Sequence, residues 1–231
     1  MPAASTIRLR LLAVMVIASL TVTGCQTLDD AGRAIGHADL VNDLASRLDR
    51  AFTLTYSADY QLAAGQTATI AQAQEPARSA YTWPGGKLTV TEEATTRCAT
   101  SGGRTVCALE PPPAATAKPS VAVFAEAERQ GLVTPPLVVG LLTAAALDPH
   151  AVITSSDTTL AGRHASCVEV RGPADSFSAC VTTEGALGSF TGQVDGERVD
   201  LALTRYRENV DSTAFDLPPD AGVVDRRPPR P

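Results

Sequence analysis

Apolar and polar residues alternate one for one from 52 to 62. Phe52, Leu54, Tyr56, Ala58, Tyr60 and Leu62 point one way, and Thr53, Thr55, Ser57, Asp59 and Gln61 the other. A period of two predicts a strand with one buried and one wet face, as in an antiparallel sheet. Upstream the period is helical: Leu40, Val41, Leu44, Leu48 and Ala51 share one face, and Asp39 can cap a helix running to about Arg50. Downstream, Ala64-Gly65 and Pro84-Gly85-Gly86 mark turns between strands over 67–74, 78–83 and 87–92. A hairpin about Gly102-Gly103 completes a first group of strands.

Pro111-Pro112-Pro113 ends that series and the pattern becomes helical again. Residues 120–131 predict a helix with a glycine stop. Thr134 then caps a second helix with Pro135 at its first position. From Leu137 to Leu147 this helix is apolar on nearly every face, with Thr143 its only polar side chain. Such a helix is either buried all round or lines something apolar, and eleven residues (137–147) are too few to span a bilayer. Strands resume near Ala151, include 162–171 and 176–182, and alternate again over 198–206 before 215–219 closes the domain. The linear count is about ten strands, a leading helix and helices inserted between two groups of strands. One domain is expected over 37–219, with a disordered tail over 220–231.

The N-terminus sets the compartment. Arg8 and Arg10 precede an unbroken apolar run, LLAVMVIASL. Ten residues of helix rise about 15 Å, against roughly 30 Å of hydrocarbon, so residues 1–24 read as a signal peptide and not as an anchor. Val22-Thr23-Gly24-Cys25 resembles the bacterial lipobox. The resemblance implies cleavage before Cys25, a thioether from its thiol to diacylglycerol, acylation of the new N-terminus, and a lipid-anchored protein on the extracytoplasmic face of the cell membrane. Residues 25–36 would be a polar tether.

Four cysteines remain, and four allow three pairings. Closing the hairpin at Gly102-Gly103 sets Cys98 opposite Cys107 in a non-hydrogen-bonded pair, with Cα atoms about 4.5 Å apart. A loop centred on Pro173-Ala174 sets Cys167 opposite Cys180 in the same way; a longer turn would shift that parity. Two hairpin disulfides are therefore expected.

Charge and motif exclude several functions. The chain carries 19 basic and 25 acidic residues; without Arg8 and Arg10 the mature balance is 17 against 25. Such a surface is unsuited to phosphate backbones, so no nucleic-acid partner is expected. His37, His150 and His164 lie far apart, without metal-ligand spacing, and Gly188-Ser189-Phe190-Thr191-Gly192 places its serine one position early for a nucleophile elbow. The reading is of a protein without enzymatic activity, metal or cofactor.

Three stretches, FTLTYSADYQL, CVTTEGALGSFTG and LALTRYRENVDSTAFDLPP, together with the order of elements, resemble the LolA-like lipoprotein-carrier superfamily and the related actinobacterial lipoproteins that carry acylated glycolipids. The likeness covers about 39–219. It implies an α+β fold in which a large curved antiparallel sheet, an unclosed β-barrel, wraps around the mid-chain helices. It also implies a hydrophobic cavity for a lipid or acylated glycolipid. Phe52, Leu54, Tyr56, Tyr60, Val138, Leu141 and Leu142 are the expected wall. An envelope interaction or sensory module, binding a membrane regulator or other protein partner, is the alternative. A hollow core favours the first and a filled core the second; the sequence buries the same faces in both.

Overall fold

The computed structural model describes residues 24–113, 121–173 and 176–229. The chain forms two units, 1–40 and 41–231. The first holds the early turns of α1 (Gly24–Arg50). Residues 25–36, expected as a tether, belong to this helix. Of the expected signal peptide, 1–24, residues 1–23 lie outside the described residues.

Among the described residues, the second unit is one unclosed sheet of twelve strands with the end of α1, two further α-helices and three short 3-10 turns. After α1 and a short 3-10 turn (Ala51–Thr53) come β1 (Tyr56–Leu62), β2 (Thr67–Gln74), β3 (Ala77–Trp83), β4 (Gly86–Val90), β5 (Thr95–Ser101) and β6 (Arg104–Glu110). The helices α2 (Val121–Arg129) and α3 (Pro135–Leu147) follow. Then come β7 (Val152–Leu160), β8 (Arg163–Arg171), β9 (Ser176–Thr182), β10 (Leu187–Val194), β11 (Glu197–Arg207) and β12 (Gly222–Asp225). The spatial order is β12-β6-β5-β4-β3-β2-β1-β11-β10-β9-β8-β7. Two antiparallel meanders, β1–β6 and β7–β11, thus meet at the pair β1·β11, where Ser57 faces Arg207 and Leu62 faces Leu201.

The strand count exceeds the expected ten, and the sheet is mixed where an antiparallel one was expected. One cause of both differences is the tail. Within residues 220–231, expected as a disordered tail, 222–225 add a parallel strand to β6, with Val223 opposite Cys107. The chain reaches that edge from β11 by crossing strands β1 to β6. Phe215 fastens the crossing against Ala71, Ala73 and Ala80, and the Asp216 carbonyl accepts from Lys87 Nζ at 2.6 Å.

The alternation expected over 52–62 holds in part: residues 52–55 lie outside the strand, and Ser57, on the expected wet face, is buried. Tyr56, Ala58 and Tyr60 are buried while Gln61 is exposed. The register carries the same face to Leu88 on β4 and to Phe190 and Leu201 across the seam. Residues of this face, Tyr60, Phe190, Leu88 and Leu201, are among the largest fully buried side chains. The opposite face holds the cross-links. Cys98–Cys107 and Cys167–Cys180 are both bonded, each between directly opposed residues with Cα atoms 3.9 Å apart. The second hairpin's turn lies partly at 174–175, outside the described residues.

Candidate functional site

Helix α1 delivers its apolar face to this unit as its spacing requires: Val41, Leu44, Leu48 and Ala51 are all buried. The 3-10 turn that follows swings Phe52 out of the strand expected there. Two glutamines of β2 hold the turn. Gln72 Nε2 donates to the carbonyls of Ala51 and Leu54, both at 2.9 Å, and Gln74 Nε2 to those of Phe52 at 3.0 Å and Leu54 at 2.9 Å. A buried carbonyl without a donor is costly, so these side chains fix where Phe52 stands. Its ring packs against Phe124 of α2, with centroids 5.5 Å apart at 56°.

Helices α2 and α3 are joined by a tight connection. Gly131 takes φ +78°, open to glycine, and its N–H donates to the Glu128 carbonyl at 2.9 Å. Thr134 precedes Pro135 as expected, but its hydroxyl donates to the Glu128 carboxylate of α2 and does not cap α3. Leu132 and Val133 are buried in the connection.

Helix α3 is apolar but for Thr143, yet buried on one side: Val138, Leu142 and Ala145 face inward. Pro136, Gly140 and Ala144 are exposed, and Leu147 is 78% exposed. Between this helix, α2 and α1 lies a cleft of about 520 Å³. It is lined by Ala45, Ser46, Leu48 and Asp49 of α1, by Phe52 and Phe124, and by Pro135, Pro136 and Val139 of α3. That volume falls in the range of small-ligand sites.

Of the seven residues expected to line a cavity, Phe52 lines the cleft. Tyr56, Tyr60, Val138 and Leu142 are buried in the core, and Leu54 and Leu141 are half-buried outside the cleft lining. The sequence reading missed Phe124, Pro135, Pro136 and Val139. Burial raises the phenol pKa of Tyr56 and Tyr60, and that of Tyr81 to about 12. Tyr56 stacks on Tyr206 at 5.6 Å, and Tyr206 in turn lies under the Arg163 guanidinium, 4.9 Å away. Arg163 pairs with Glu184 at 3.0 Å and Glu208 at 2.9 Å.

Among the described residues, no cluster of three or more His, Cys, Asp or Glu side chains is placed to hold a metal ion. Among the same residues, no helix is long and apolar enough to cross a membrane.

No family model and no curated protein matches this sequence. Solved structures match by fold. MucB shares 13% identity at a TM-score of 0.52, over 81% of this chain and 66% of MucB. MucB in its complex with MucA from Pseudomonas aeruginosa shares 13% at 0.50, over 80% of this chain and 63% of that one. A conserved protein of Thermus thermophilus shares 12% at 0.45, over 80% of this chain and 98% of that one. This chain spans just under two thirds of MucB. The likeness to MucB supports a LolA-like fold.

Proposed function

We propose that the protein is a non-enzymatic module of the cell envelope that docks an apolar segment of a protein partner in the cleft between α1, α2 and α3. Acylated Cys25 would hold it on the extracytoplasmic face of the membrane after loss of the signal peptide. The observation that carries the reading is the half-exposed helix α3, apolar but for Thr143, beside a cleft lined by Phe52, Phe124 and Val139. Two further points support it. Side chains that a carrier would line with lipid, Tyr60, Val138 and Leu142, are buried in the protein itself. The MucB fold also occurs in a complex with a protein, MucA.

A lipid or acylated glycolipid is the second reading, favoured by the cleft's volume and apolar lining. An acyl chain laid there would gain about 0.8 kcal/mol for each CH2 buried.

Native mass spectrometry of the exported protein, disulfides formed, followed by solvent extraction, separates the two. An apo mass that refuses added lipid, with an envelope protein captured by crosslinking and lost in Val139→Asp, is the expected result. A stoichiometric, extractable lipid, itself lost in Val139→Asp, would replace the partner reading with the carrier reading. Neither ligand in an intact fold would overturn both.

A further inference from the structure

The outer edge of β6 is covered by the chain's own last strand, and that cover is slight. Strand β12 has four residues, all exposed, with Val223 at 50% and Val224 at 47%. It pairs in parallel, the less stable arrangement per residue. It spans Val106 to Leu109, whereas β6 runs over seven residues from Arg104 to Glu110. Its upstream fastenings, Phe215 among the β2 and β3 alanines and the Asp216 carbonyl on Lys87, lie before residue 222. The last strand can thus leave without disturbing a buried side chain.

What sits there also shows what the edge accepts. Two valines run along β6, beside Val106, which is itself 51% exposed. The Arg226 N–H then donates to the Leu109 carbonyl at 2.8 Å, and its guanidinium lies 3.9 Å from Glu110. Arg227 pairs with Asp225 at 2.7 Å and feels Glu93. Beyond it, Pro228 and Pro229 share a second cleft, of about 430 Å³, with Pro111, Pro112 and Glu93.

We infer that the β6 edge is a strand-addition site, closed in cis by the C-terminal segment 222–229. We infer also that it takes in exchange an extended segment of a partner protein with the same chemistry: β-branched aliphatic residues followed by arginines. Such a segment gains main-chain hydrogen bonds along β6, and an arginine at the position of Arg226 comes within reach of Glu110. A partner strand covering all seven residues of β6 makes more of these bonds than the four-residue cis strand. The cis strand sets a threshold, because a tethered segment is present at an effective concentration in the millimolar range.

The test uses the full chain and a labelled peptide of the sequence GVVDRRPPRP. Val223→Pro with Val224→Pro removes the Val224 N–H, which alternation from Arg226 turns towards β6, and stiffens the strand against pairing, so that the edge opens; Val223→Gly with Val224→Gly is the milder form should the first lower the melting temperature. Fluorescence anisotropy should show the opened chain binding the peptide about tenfold or more tighter than the unaltered chain. Amides of β6 should lose hydrogen-exchange protection on opening and regain it with peptide. No binding to either opened variant, or equal binding to all three, would overturn the inference. Dimerisation of the unaltered chain with exchange of tails would also overturn it, by making a second copy the occupant.

Discussion

Gly185, at the turn between β9 and β10, lies directly against the backbone of Arg47 in α1. A Cβ built at position 185 would collide with the Arg47 carbonyl oxygen, and Gly185 holds φ +113°, outside the range of L side chains. Arg47 reaches from the same helix to Ser166 Oγ at 3.1 Å, and Arg50 to the Thr183 carbonyl at 3.2 Å. The helix is thus seated on the turn by its own backbone. Gly185→Ala should lower stability by about 2 kcal/mol or more, from strain and displacement together. A thermal melt checks this, and an unchanged melting temperature would show that α1 slides to accommodate the methyl.

The Phe52 turn depends on amides donated from the sheet. Gln72→Leu removes two hydrogen bonds, to Ala51 and Leu54, while each carbonyl keeps one other donor, the Leu54 N–H and Gln74 Nε2 respectively; two net hydrogen bonds cost about 1–3 kcal/mol together. Gln74→Ala, at a half-buried site, should cost less but free Phe52 to move. The expected signature is ligand binding in the cleft weakened more than stability, measured by titration beside denaturant melts.

Each disulfide closes a short loop, with sequence separations of 9 and 13. Chain-entropy reasoning assigns roughly 2.5–3 kcal/mol to either. Paired Cys→Ser changes at Cys98 and Cys107, and separately at Cys167 and Cys180, should each lower the urea midpoint. Equal behaviour of oxidised and reduced wild-type protein would refute the estimate.

Alkaline pH should unfold the chain. Burial holds the phenols of Tyr56, Tyr60 and Tyr81 above 10.0, Tyr81 at about 12, and Tyr206 is also raised, by burial and then Glu184. The unfolded chain releases these protons first, so stability is complete below pH 10 and falls as pH rises from 10 towards 12. Phenolate absorbance and loss of circular dichroism should rise together. Phenolate forming well before unfolding would mean that the tyrosine face is wet.

What was legible in the sequence was local. Strand β2 and the pairing of Cys98 with Cys107 and of Cys167 with Cys180 follow from alternation and turn position, which act over a few residues. The cleft was less legible. Helix α3 carries one polar side chain, Thr143, so its sequence hardly fixes rotation about its own axis; Val138 turned inward and Val139 towards the cleft. Phe52 continued the alternation of β1, but the glutamines that bend it into a turn lie about 20 residues downstream, at 72 and 74. The tail strand carried no pattern of its own, because four residues on an edge take their structure from β6.

Both cross-links lie within a meander, one in β5–β6 and one in β8–β9, so neither joins the two meanders. The seam at β1·β11 is held by backbone and side-chain contacts alone, between residues as far apart in sequence as Ser57 and Arg207. Each hairpin can close early and oxidise by itself, whereas the seam must await nearly the whole chain. A protease cut between Glu110 and Val152 would consequently leave two fragments that associate in native buffer and part in denaturant with every disulfide intact.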